Sequence, residues 1–263
     1  MILDLFKLTD KVAIVTGAGK GIGRGIAWAF AEAGADVVAA ARTQADLDET
    51  ASGARERGRR ALAVQADVTR TEDLERLVAA TLEEFGHIDI LVNNAGGTGP
   101  RAALDTSEHY FEAALRMNVT QAFLLSRMVV PQMVKTAGEG AIVNISSRSS
   151  DMVQTSFVAY GAGKAALNMM TRNMAPEFAP KVRINAISVG GIATQALEVV
   201  LTNDALREQF NANTPMKRPG TVEDIAACAL YLASPAAGWV TGKIFQVDGG
   251  TECPSMSVPV AAL

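Results

Sequence analysis

The sequence predicts an α/β fold in which helices cover both faces of one parallel, doubly wound sheet. Short apolar runs alternate with longer helical patterns from end to end of the chain. The runs are nearly continuously apolar, which is typical of parallel strands buried on both faces. No linker, low-complexity tract or tandem repeat interrupts the alternation. We therefore expect a single domain over residues 1–263.

Seven runs have the composition of buried strands and predict a seven-stranded sheet flanked by helices. They are "KVAIVTGA" (11–18), "ADVVAAAR" (35–42), "RALAVQADV" (60–68), "IDILVNNAG" (88–96), "GAIVNISS" (140–147), "VRINAISVG" (182–190) and "KIFQVDGG" (243–250). The intervening helices are exemplified by "TEDLERLVAATLEEFG" (71–86). Its apolar residues recur at helical spacing, and threonine and glycine stand at its ends as capping residues.

Composition excludes several classes of function. The chain is 49% hydrophobic and 20% charged, as globular proteins are, and its formal net charge of -4 gives no electrostatic reason to expect nucleic acid or an anionic membrane as partner. No apolar run is long enough to span a bilayer, and no leader pattern opens the chain. Cys228 and Cys253 have neither disulfide-framework nor metal-ligand spacing. We expect a cytoplasmic protein without a metal site.

The first predicted strand ends in a glycine-rich loop, "TGAGKGIGRG" (16–25), that leads directly into a helix. Glycines at 17, 21 and 23 allow a tight turn and close approach to a pyrophosphate, while the helix N-terminus offers amide donors. This arrangement predicts a Rossmann-type dinucleotide site. The spacing differs from the commonest G-x-G-x-x-G pattern, so the loop alone is weak evidence.

The end of the second strand predicts which dinucleotide binds. An acidic residue there would bind the ribose 2′-hydroxyl of NAD, but the strand ends in Ala40 and Ala41. The next residue, Arg42, is suited to a 2′-phosphate, and Lys20 in the glycine loop offers a second cation. The sequence therefore predicts NADP(H) as the cofactor.

A tyrosine and a lysine stand one helical turn apart in "AYGAGKAAL" (159–167), so Tyr160 and Lys164 share a helix face. A phenol is a poor base at neutral pH, but nearby positive charge favours its ionised form. We therefore expect Lys164 to lower the pKa of Tyr160. A tyrosine adjusted in this way can exchange a proton with an alcohol or ketone.

Four motifs in this order resemble the classical short-chain dehydrogenases/reductases over about residues 11 to 250: TGxxxGxG (16–23), NNAG (93–96), a serine closing the fifth strand and YxxxK (160–164). The resemblance implies that Tyr160 is the general acid/base and that Lys164 supports it and holds the nicotinamide ribose. It implies that Ser147 binds the substrate oxygen, with Ser146 as the competing serine. It also implies that Asn118 holds a water linking Lys164 to solvent.

The same resemblance implies a set of cofactor contacts besides Tyr160 and Lys164. The residues are Gly17, Lys20, Gly21, Ile22, Gly23, Arg42, Asp67, Val68, Asn94, Gly96, Ile192 and Thr194. Of these, Gly17, Ile22 and Gly23 would lie at the pyrophosphate, and Asp67 and Val68 at the adenine. Asn94 would lie at the adenosine ribose, and Ile192 and Thr194 at the carboxamide and phosphates.

Two positions depart from the family pattern. Val189 replaces a proline after the sixth strand, which adds an amide donor and should loosen the turn. Gly163 replaces a serine or threonine before Lys164.

The substrate is less well specified. Residues 193–220 occupy the place of the family's substrate lid, and Leu197, Val200 and Leu201 either line an apolar pocket or pack the lid onto the body. "NNAGGTGP" and residues 214–243 resemble bacterial 7α-hydroxysteroid dehydrogenases, whereas "GAGKGIGRG" and "ARTQADLDET" resemble L-xylulose and related carbonyl reductases. Arg148 either pairs with a substrate anion or faces solvent.

Together these features predict an NADP(H)-dependent oxidoreductase acting on a secondary alcohol/ketone pair, with a lipophilic or steroid-like small molecule favoured as substrate. The alternatives are a 3-oxoacyl-thioester reductase and a non-catalytic dinucleotide sensor or scaffold. The helix at 168–178 carries more apolar residues, several of them methionines, than a solvated helix needs. The family resemblance implies that it packs against its counterpart in another subunit, so we expect a homotetramer or a dimer; the alternative is a helix buried within the monomer. The tail, 251–263, is expected to run over a surface or a neighbouring subunit.

Overall fold

The computed structural model describes residues 1–255, apart from the side chains of Ala196, Val199 and Val200. Its seven strands form one parallel sheet in the order β3-β2-β1-β4-β5-β6-β7, which confirms the predicted fold. The strands are β1 (Val12–Thr16), β2 (Asp36–Ala41), β3 (Ala61–Gln65), β4 (Ile90–Asn93), β5 (Gly140–Ser147), β6 (Val182–Val189) and β7 (Ile244–Val247). Most of the predicted tail, residues 256–263, lies outside the described part.

Helices connect the strands in the predicted alternation. The α-helices of the described residues are α1 (Gly21–Glu32), α2 (Gln44–Glu56), α3 (Thr71–Phe85), α4 (Glu108–Leu115), α5 (Gln121–Thr136), α6 (Val158–Phe178), α7 (Glu198–Leu201), α8 (Asp204–Asn213) and α9 (Val222–Ala233). Shorter 3-10 helices lie at Ile2–Phe6, Ala103–Asp105, Arg148–Ser150, Gln195–Leu197 and Pro235–Ala237. A π-helical turn, Arg116–Thr120, joins α4 to α5. None of the helices in residues 1–255 combines the length and the apolarity needed to cross a bilayer.

The two faces of the sheet carry separate cores because successive strand residues point to opposite sides. Ala13 and Val15 of β1 join a core with residues of α1, α2 and α9, such as Phe30 and Leu232. Ile14 of β1 joins the other core, with residues of α3, α5 and α6. Strands β1 to β6 therefore contribute side chains to both cores, as their largely apolar runs predict, whereas β7 contributes only to the first.

Helix α3 illustrates how local sequence sets the boundaries. Leu74, Leu77 and Val78 are buried against the sheet, and Gly86 ends the helix in a left-handed conformation with φ of 80°. Thr71 was expected at the cap, but it is the first helical residue and Arg70 occupies the cap position. The glycine end of the predicted helix is thus confirmed.

The strand order reverses beside β1, and this reversal positions the ligand-binding edge. From β1 the chain builds outward through β2 and β3, and then returns to β4 on the other side of β1. The loops at the carboxyl ends of β1 and β4 consequently diverge and leave a crevice, which is where open α/β sheets bind ligands.

Candidate active site

A cavity of about 700 Å³ opens at the carboxyl ends of the strands. It gathers almost all the site residues predicted from the sequence, although these come from segments far apart in the chain. The predicted residues on its wall are Gly17, Lys20, Gly21, Ile22, Gly23, Arg42, Asp67, Val68, Asn94, Gly96, Ser147, Tyr160, Lys164, Ile192 and Thr194. Asn118 lies behind the wall, against Gly96 and Gly97.

The glycine loop is shaped for close backbone approach. Gly17 has a φ of 62°, a conformation that side chains disfavour. A Cβ on Gly23 would lie 2.3 Å from the Gly17 carbonyl oxygen, so α1 can pack on β1 only with glycine there. Within the described residues, no side chain caps the first turn of α1, which leaves amides at this helix end without a side-chain acceptor there. These donors, with positive helix-end potential, fit a pyrophosphate.

The wall beside β2 carries mixed charge. Arg42 is exposed, and no ion-pair partner of its guanidinium occurs within residues 1–255. The Lys20 ammonium lies 3.3 Å from a carboxylate oxygen of Asp46, in the first turn of α2. No acid stands at the strand end, as the sequence indicates, but sequence reasoning missed this carboxylate five residues after Ala41.

Asp67 and Asn94 are held by their own loops. The Asp67 carboxylate accepts hydrogen bonds from the amide and hydroxyl of Thr69, at 2.9 and 2.7 Å. These bonds, together with the more distant charge of Arg42, hold the pKa of Asp67 below its ordinary value. The Asn94 amide donates to the carbonyls of Thr16 and Gly17, at 2.8 and 3.2 Å, and so ties the end of β4 to the glycine loop.

The catalytic candidates meet where β5 ends against α6. The Tyr160 phenol is hydrogen-bonded to the Ser147 hydroxyl. Ser146 turns the other way, and its hydroxyl donates to the Lys164 carbonyl at 3.4 Å. Of the two serines, Ser147 is therefore the one that contacts the tyrosine.

Burial governs the acidity of this pair. It raises the pKa of the Tyr160 phenol, while the Ser147 hydrogen bond opposes the rise. The net direction is opposite to the lowering expected from the Lys164 charge. Lys164 is itself 4% exposed, and burial lowers the pKa of its ammonium to about 8.

Lys164 is held beneath the tyrosine ring by the backbone. Its ammonium donates to the Ile145 carbonyl at 2.7 Å and lies 5.8 Å from the centroid of the Tyr160 ring. A Cβ on Gly96 would lie 3.0 Å from the Lys164 nitrogen, so the NNAG motif passes directly over the ammonium. The spacing of four residues in α6 thus brings both groups to one cavity wall, as predicted.

Asn118 is buried in the π-helical turn between α4 and α5, a feature that often marks functional sites. Its amide nitrogen donates to the Thr98 hydroxyl and the Ala114 carbonyl, both at 2.9 Å. Its amide oxygen accepts from the Gly97 amide at 2.9 Å. Both hydrogens of the Asn118 side-chain amide are already donated, so a water bound at Asn118 would donate its hydrogen bond to an oxygen of this residue.

The two departures from the family pattern have structural consequences. A Cβ on Gly163 would approach the Asn118 Cβ to 3.0 Å, so glycine lets α6 lie against the π-helical turn. Val189 is the last residue of β6 and pairs with both Ser147 and Val247. The sheet pairing therefore continues to this residue, and the looser turn expected after it stays a prediction.

Segment 193–220 contains a 3-10 helix, α7 and α8. Leu197 lines the cavity, and the Thr194 methyl would lie 3.4 Å from a Cβ on Gly21, which places it against the glycine loop. The side chain of Val200 lies outside the described residues. One of the two alternatives for Leu197, a place on the pocket wall, is thereby supported.

Arg148 corrects a prediction. It was expected either to face solvent or to await a substrate anion, but it is 5% exposed and already paired with protein carboxylates. Its nearest partner, Asp248, stands 100 positions away in the chain, so no local pattern could have revealed the pairing.

The fold and the cavity are those of a dinucleotide-binding α/β protein, with Ser147, Tyr160 and Lys164 on the wall of the crevice. A family model described as enoyl-(acyl carrier protein) reductase matches residues 17–252. An uncharacterized oxidoreductase of Mycobacterium tuberculosis is 47% identical over all of both chains. The 7α-hydroxysteroid dehydrogenase of Escherichia coli K12 is 39% identical over 94% of this chain and 96% of its own length.

A solved structure of 7α-hydroxysteroid dehydrogenase, complexed with NADH and 7-oxo glycochenodeoxycholic acid, superposes with a TM-score of 0.91 at 38% identity, covering 96% of this chain and 98% of that one. These matches show that the chain belongs to the short-chain dehydrogenase/reductase family. It is an oxidoreductase of the kind that acts on hydroxyl and keto groups and uses a nicotinamide cofactor.

Proposed function

We propose that the protein is an NADP(H)-dependent oxidoreductase that interconverts a secondary alcohol and a ketone. The observation that carries this proposal is the Ser147–Tyr160 hydrogen bond, with Lys164 beneath it, in the same cavity as the glycine loop. A dinucleotide sensor would have no use for these proton-transfer groups. The single-domain arrangement places all of them on one sheet edge.

The cavity wall fits a phosphorylated dinucleotide. Gly17, Ile22 and Gly23 would hold the pyrophosphate, because their amides and the α1 terminus form the anion-binding part of the wall. Arg42 and Lys20 would hold the 2′-phosphate; since Asp46 neutralises part of the Lys20 charge, Arg42 carries most of this preference.

The remaining cofactor contacts follow the cavity from β3 to β6. The residues proposed to make them are Asp67 and Val68 at the adenine, Asn94 and Gly96 along the ribose side, Gly21 in the loop, and Ile192 and Thr194 at the carboxamide and phosphates. When bound, the nicotinamide supplies or accepts the hydride of the reaction.

Tyr160 is the proposed general acid/base. In ketone reduction its phenol donates a proton to the oxygen that becomes the alcohol, and in oxidation its phenolate takes that proton back. Ser147 would hold the same oxygen through its hydroxyl. Lys164 would bind the nicotinamide ribose and return a proton to Tyr160, and an oxygen of Asn118 would hold the water that joins Lys164 to solvent.

A lipophilic, steroid-like alcohol or ketone is the favoured substrate. Two similar proteins with nearly full coverage are 7α-hydroxysteroid dehydrogenases, and Leu197 brings an apolar side chain to the cavity from the proposed lid, residues 193–220. The second candidate is a 3-oxoacyl-thioester, which the acyl carrier protein in the description of the family model favours.

Turnover with purified protein tests the proposal. NADPH oxidation is followed with steroid ketones, sugar ketones, diketones and acetoacetyl thioesters, and we expect the steroid ketones to react fastest. Tyr160→Phe should abolish turnover and leave NADPH binding within about twofold, because only the proton-transfer group is removed. Tyr231→Phe, in the aromatic cluster with Phe6 and Phe245, is the control. Retained turnover in Tyr160→Phe would refute the acid/base assignment.

A further inference from the structure

Arg148 follows the proposed substrate-binding serine directly and is one of the most buried charged residues of the site region. Its Nε lies 2.8 Å from a carboxylate oxygen of Asp248, and its Nη1 lies 2.9 Å from Asp151. Its Nη2 donates to the Thr251 carbonyl at 3.1 Å and lies 3.5 Å from Glu252. The guanidinium thus joins the end of β5 to the segment after β7.

The acceptors of Arg148 are themselves fixed in place. The other Asp248 oxygen accepts from the Gly250 amide at 2.9 Å, and the Thr251 hydroxyl donates to the Asp248 carbonyl at 2.8 Å. Further along, the Ser255 carbonyl accepts from the Asn213 amide at 3.1 Å, at the end of α8. Arg148 therefore binds a prearranged set of oxygens instead of a free chain end.

The turn that contains Arg148 also contacts Ser147 and the helix that carries Tyr160. The Ser149 amide donates to the Ser147 hydroxyl oxygen at 3.2 Å. On the α6 side, the Ser149 carbonyl would lie 2.8 Å from a Cβ on Gly161, the residue after Tyr160. A shift of this turn would consequently move the Ser147 hydroxyl relative to the tyrosine.

We propose, on the basis of the proposed function, that Arg148 is a positioning residue: it fixes the Ser147 hydroxyl against Tyr160 by anchoring the turn at 148–150 to Asp248 and Thr251. Burying a guanidinium is costly, and a buried ion pair often adds little stability compared with apolar residues. Its planar donors do, however, fix geometry in two directions, through hydrogen bonds to Asp151 and Thr251, while Asp248 is held through charge because its contact with Nε lacks hydrogen-bond geometry. A neutral side chain of similar size would fill the space without fixing the turn.

A cycle of variants tests whether Arg148 acts through Ser147. Arg148→Met alone leaves Asp248 buried and unpaired, so the test variant is Arg148→Met/Asp248→Asn, which removes both charges and keeps an oxygen for the Gly250 amide. Ser147→Ala and the triple variant complete the cycle. Glu252→Gln is the matched control, because Glu252 is 83% exposed and its pair is the longest of the set. Arg148→Lys tests whether a positive charge without the forked donors of a guanidinium is enough to hold the turn.

Two measurements are made on each variant. The first is kcat with a substrate identified as above, with NADPH affinity as a check on folding. The second does not depend on turnover: the Cζ resonance of Tyr160 reports its hydrogen bond, and with three tyrosines in the chain it is assigned by Tyr160→Phe.

We expect kcat of Arg148→Met/Asp248→Asn to fall about 10- to 100-fold, because a small misplacement of a catalytic group causes a loss of this size. NADPH affinity should be unchanged. The Tyr160 resonance should move in the same direction as in Ser147→Ala, and the triple variant should be no slower than Ser147→Ala. Arg148→Lys should recover only part of kcat, and Glu252→Gln should match the wild type.

An unchanged Tyr160 resonance in Arg148→Met/Asp248→Asn would overturn the inference, as would losses in kcat that multiply in the triple variant. If Ser147→Ala keeps full turnover, the proposed role of Ser147 is wrong. The resonance of the Arg148 variant still decides whether Arg148 fixes the Ser147–Tyr160 contact, so the two failures are distinguishable.

Discussion

The Lys20 ammonium lies 3.3 Å from the Asp46 carboxylate on the wall of the cofactor cavity. A cation proposed to bind the 2′-phosphate is thus already paired with an acid in the first turn of α2. Lys20 remains mostly exposed, which limits the strength of the pair. The proposed preference for NADP(H) consequently depends on the balance of three charges, those of Lys20, Arg42 and Asp46.

Removal of the Asp46 charge should increase the preference for NADPH. In Asp46→Asn the repulsion of the 2′-phosphate disappears and Lys20 is released, so we expect the ratio of kcat/KM for NADPH to that for NADH to rise about threefold to tenfold, or roughly 1 kcal/mol. Asp48→Asn removes an equal charge from an exposed position in the same helix and should leave the ratio unchanged. An equal change in both variants would show that only net charge matters.

Replacement of the two cations, Arg42 and Lys20, should lower the preference for NADPH. Arg42→Asp/Lys20→Ala places an acid at the end of β2, where it can accept a hydrogen bond from a ribose hydroxyl but repels a phosphate. We expect the same ratio to fall about 100-fold or more, because bonds to an ionised partner are worth about 1.5–3 kcal/mol each. Lys181→Asp, on a residue that does not line the cavity, is the control. A ratio that stays constant would refute the phosphate-binding role of Arg42.

Most of the fold could be predicted because its signals are local. Each strand of the sheet lies in a largely apolar run, and Gly86 marks the end of α3 by its left-handed conformation. The glycine loop could likewise be predicted, since Gly23 is required by the Gly17 carbonyl oxygen six residues earlier in the chain. These features depend on chain geometry that the sequence encodes at short range.

What the sequence could not predict concerns mainly contacts made over long distances in the chain. Arg148 pairs with Asp248, and Gly163 packs on Asn118, both across elements whose approach no local pattern describes. The pKa of Tyr160 is raised because burial outweighs the hydrogen bond with Ser147, and burial is a property of the assembled fold. Residue types and spacing predicted which groups meet; they could not predict how well each is solvated.

The raised pKa of Tyr160 predicts different pH profiles for the two directions of the reaction. Ketone reduction needs the protonated phenol, which persists through neutral pH, so its kcat should be nearly constant between pH 6 and 8. Alcohol oxidation needs the phenolate, so its kcat should rise up to tenfold per pH unit below the apparent pKa. Ser147→Ala, which removes a bond that lowers this pKa, should move the oxidation profile to higher pH. An oxidation rate independent of pH between 6 and 9 would contradict the assignment.

Buried Lys164 should also make folding stability depend on pH. Its pKa is lowered from an ordinary 10.5 to about 8, so between these values the unfolded chain binds more protons than the folded one. Stability should therefore rise with pH in this window, by at most about 1.4 kcal/mol per pH unit from this residue. Lys164→Met lacks this pH-dependent contribution to stability. The stability that it loses with the hydrogen bond to the Ile145 carbonyl does not depend on pH.

Urea unfolding of the cofactor-free protein between pH 7 and 10 measures this contribution. The wild type should gain stability relative to Lys164→Met as the pH rises above about 8. Lys181→Met removes a lysine at an exposed position and should follow the wild type. A difference between wild type and Lys164→Met that stays constant across the range would show that Lys164 is not desolvated.

The apolar faces of α5 and α6 predict self-association. Met174 is buried within the chain, but Met169 of α6 is 53% exposed and Phe123 of α5 is 41% exposed. Both helices cover the same face of the sheet, and large exposed apolar side chains on neighbouring elements are typical of subunit interfaces. We expect a homotetramer of about 110 kDa, four times the 27.6 kDa of one chain, in sedimentation velocity at micromolar protein.

Acidic substitutions on the exposed apolar face of α5 and α6 should reduce the mass of the assembly. Phe123→Glu/Met169→Glu places unpaired carboxylates in the expected interface, and burying them would cost several kcal/mol each, so we expect dimers or monomers. Leu104→Glu makes the same kind of change at an exposed site in another segment and should leave the tetramer intact. A wild-type chain that sediments near 28 kDa would contradict association itself. An unchanged tetramer in Phe123→Glu/Met169→Glu would instead show that the subunits meet through a different face.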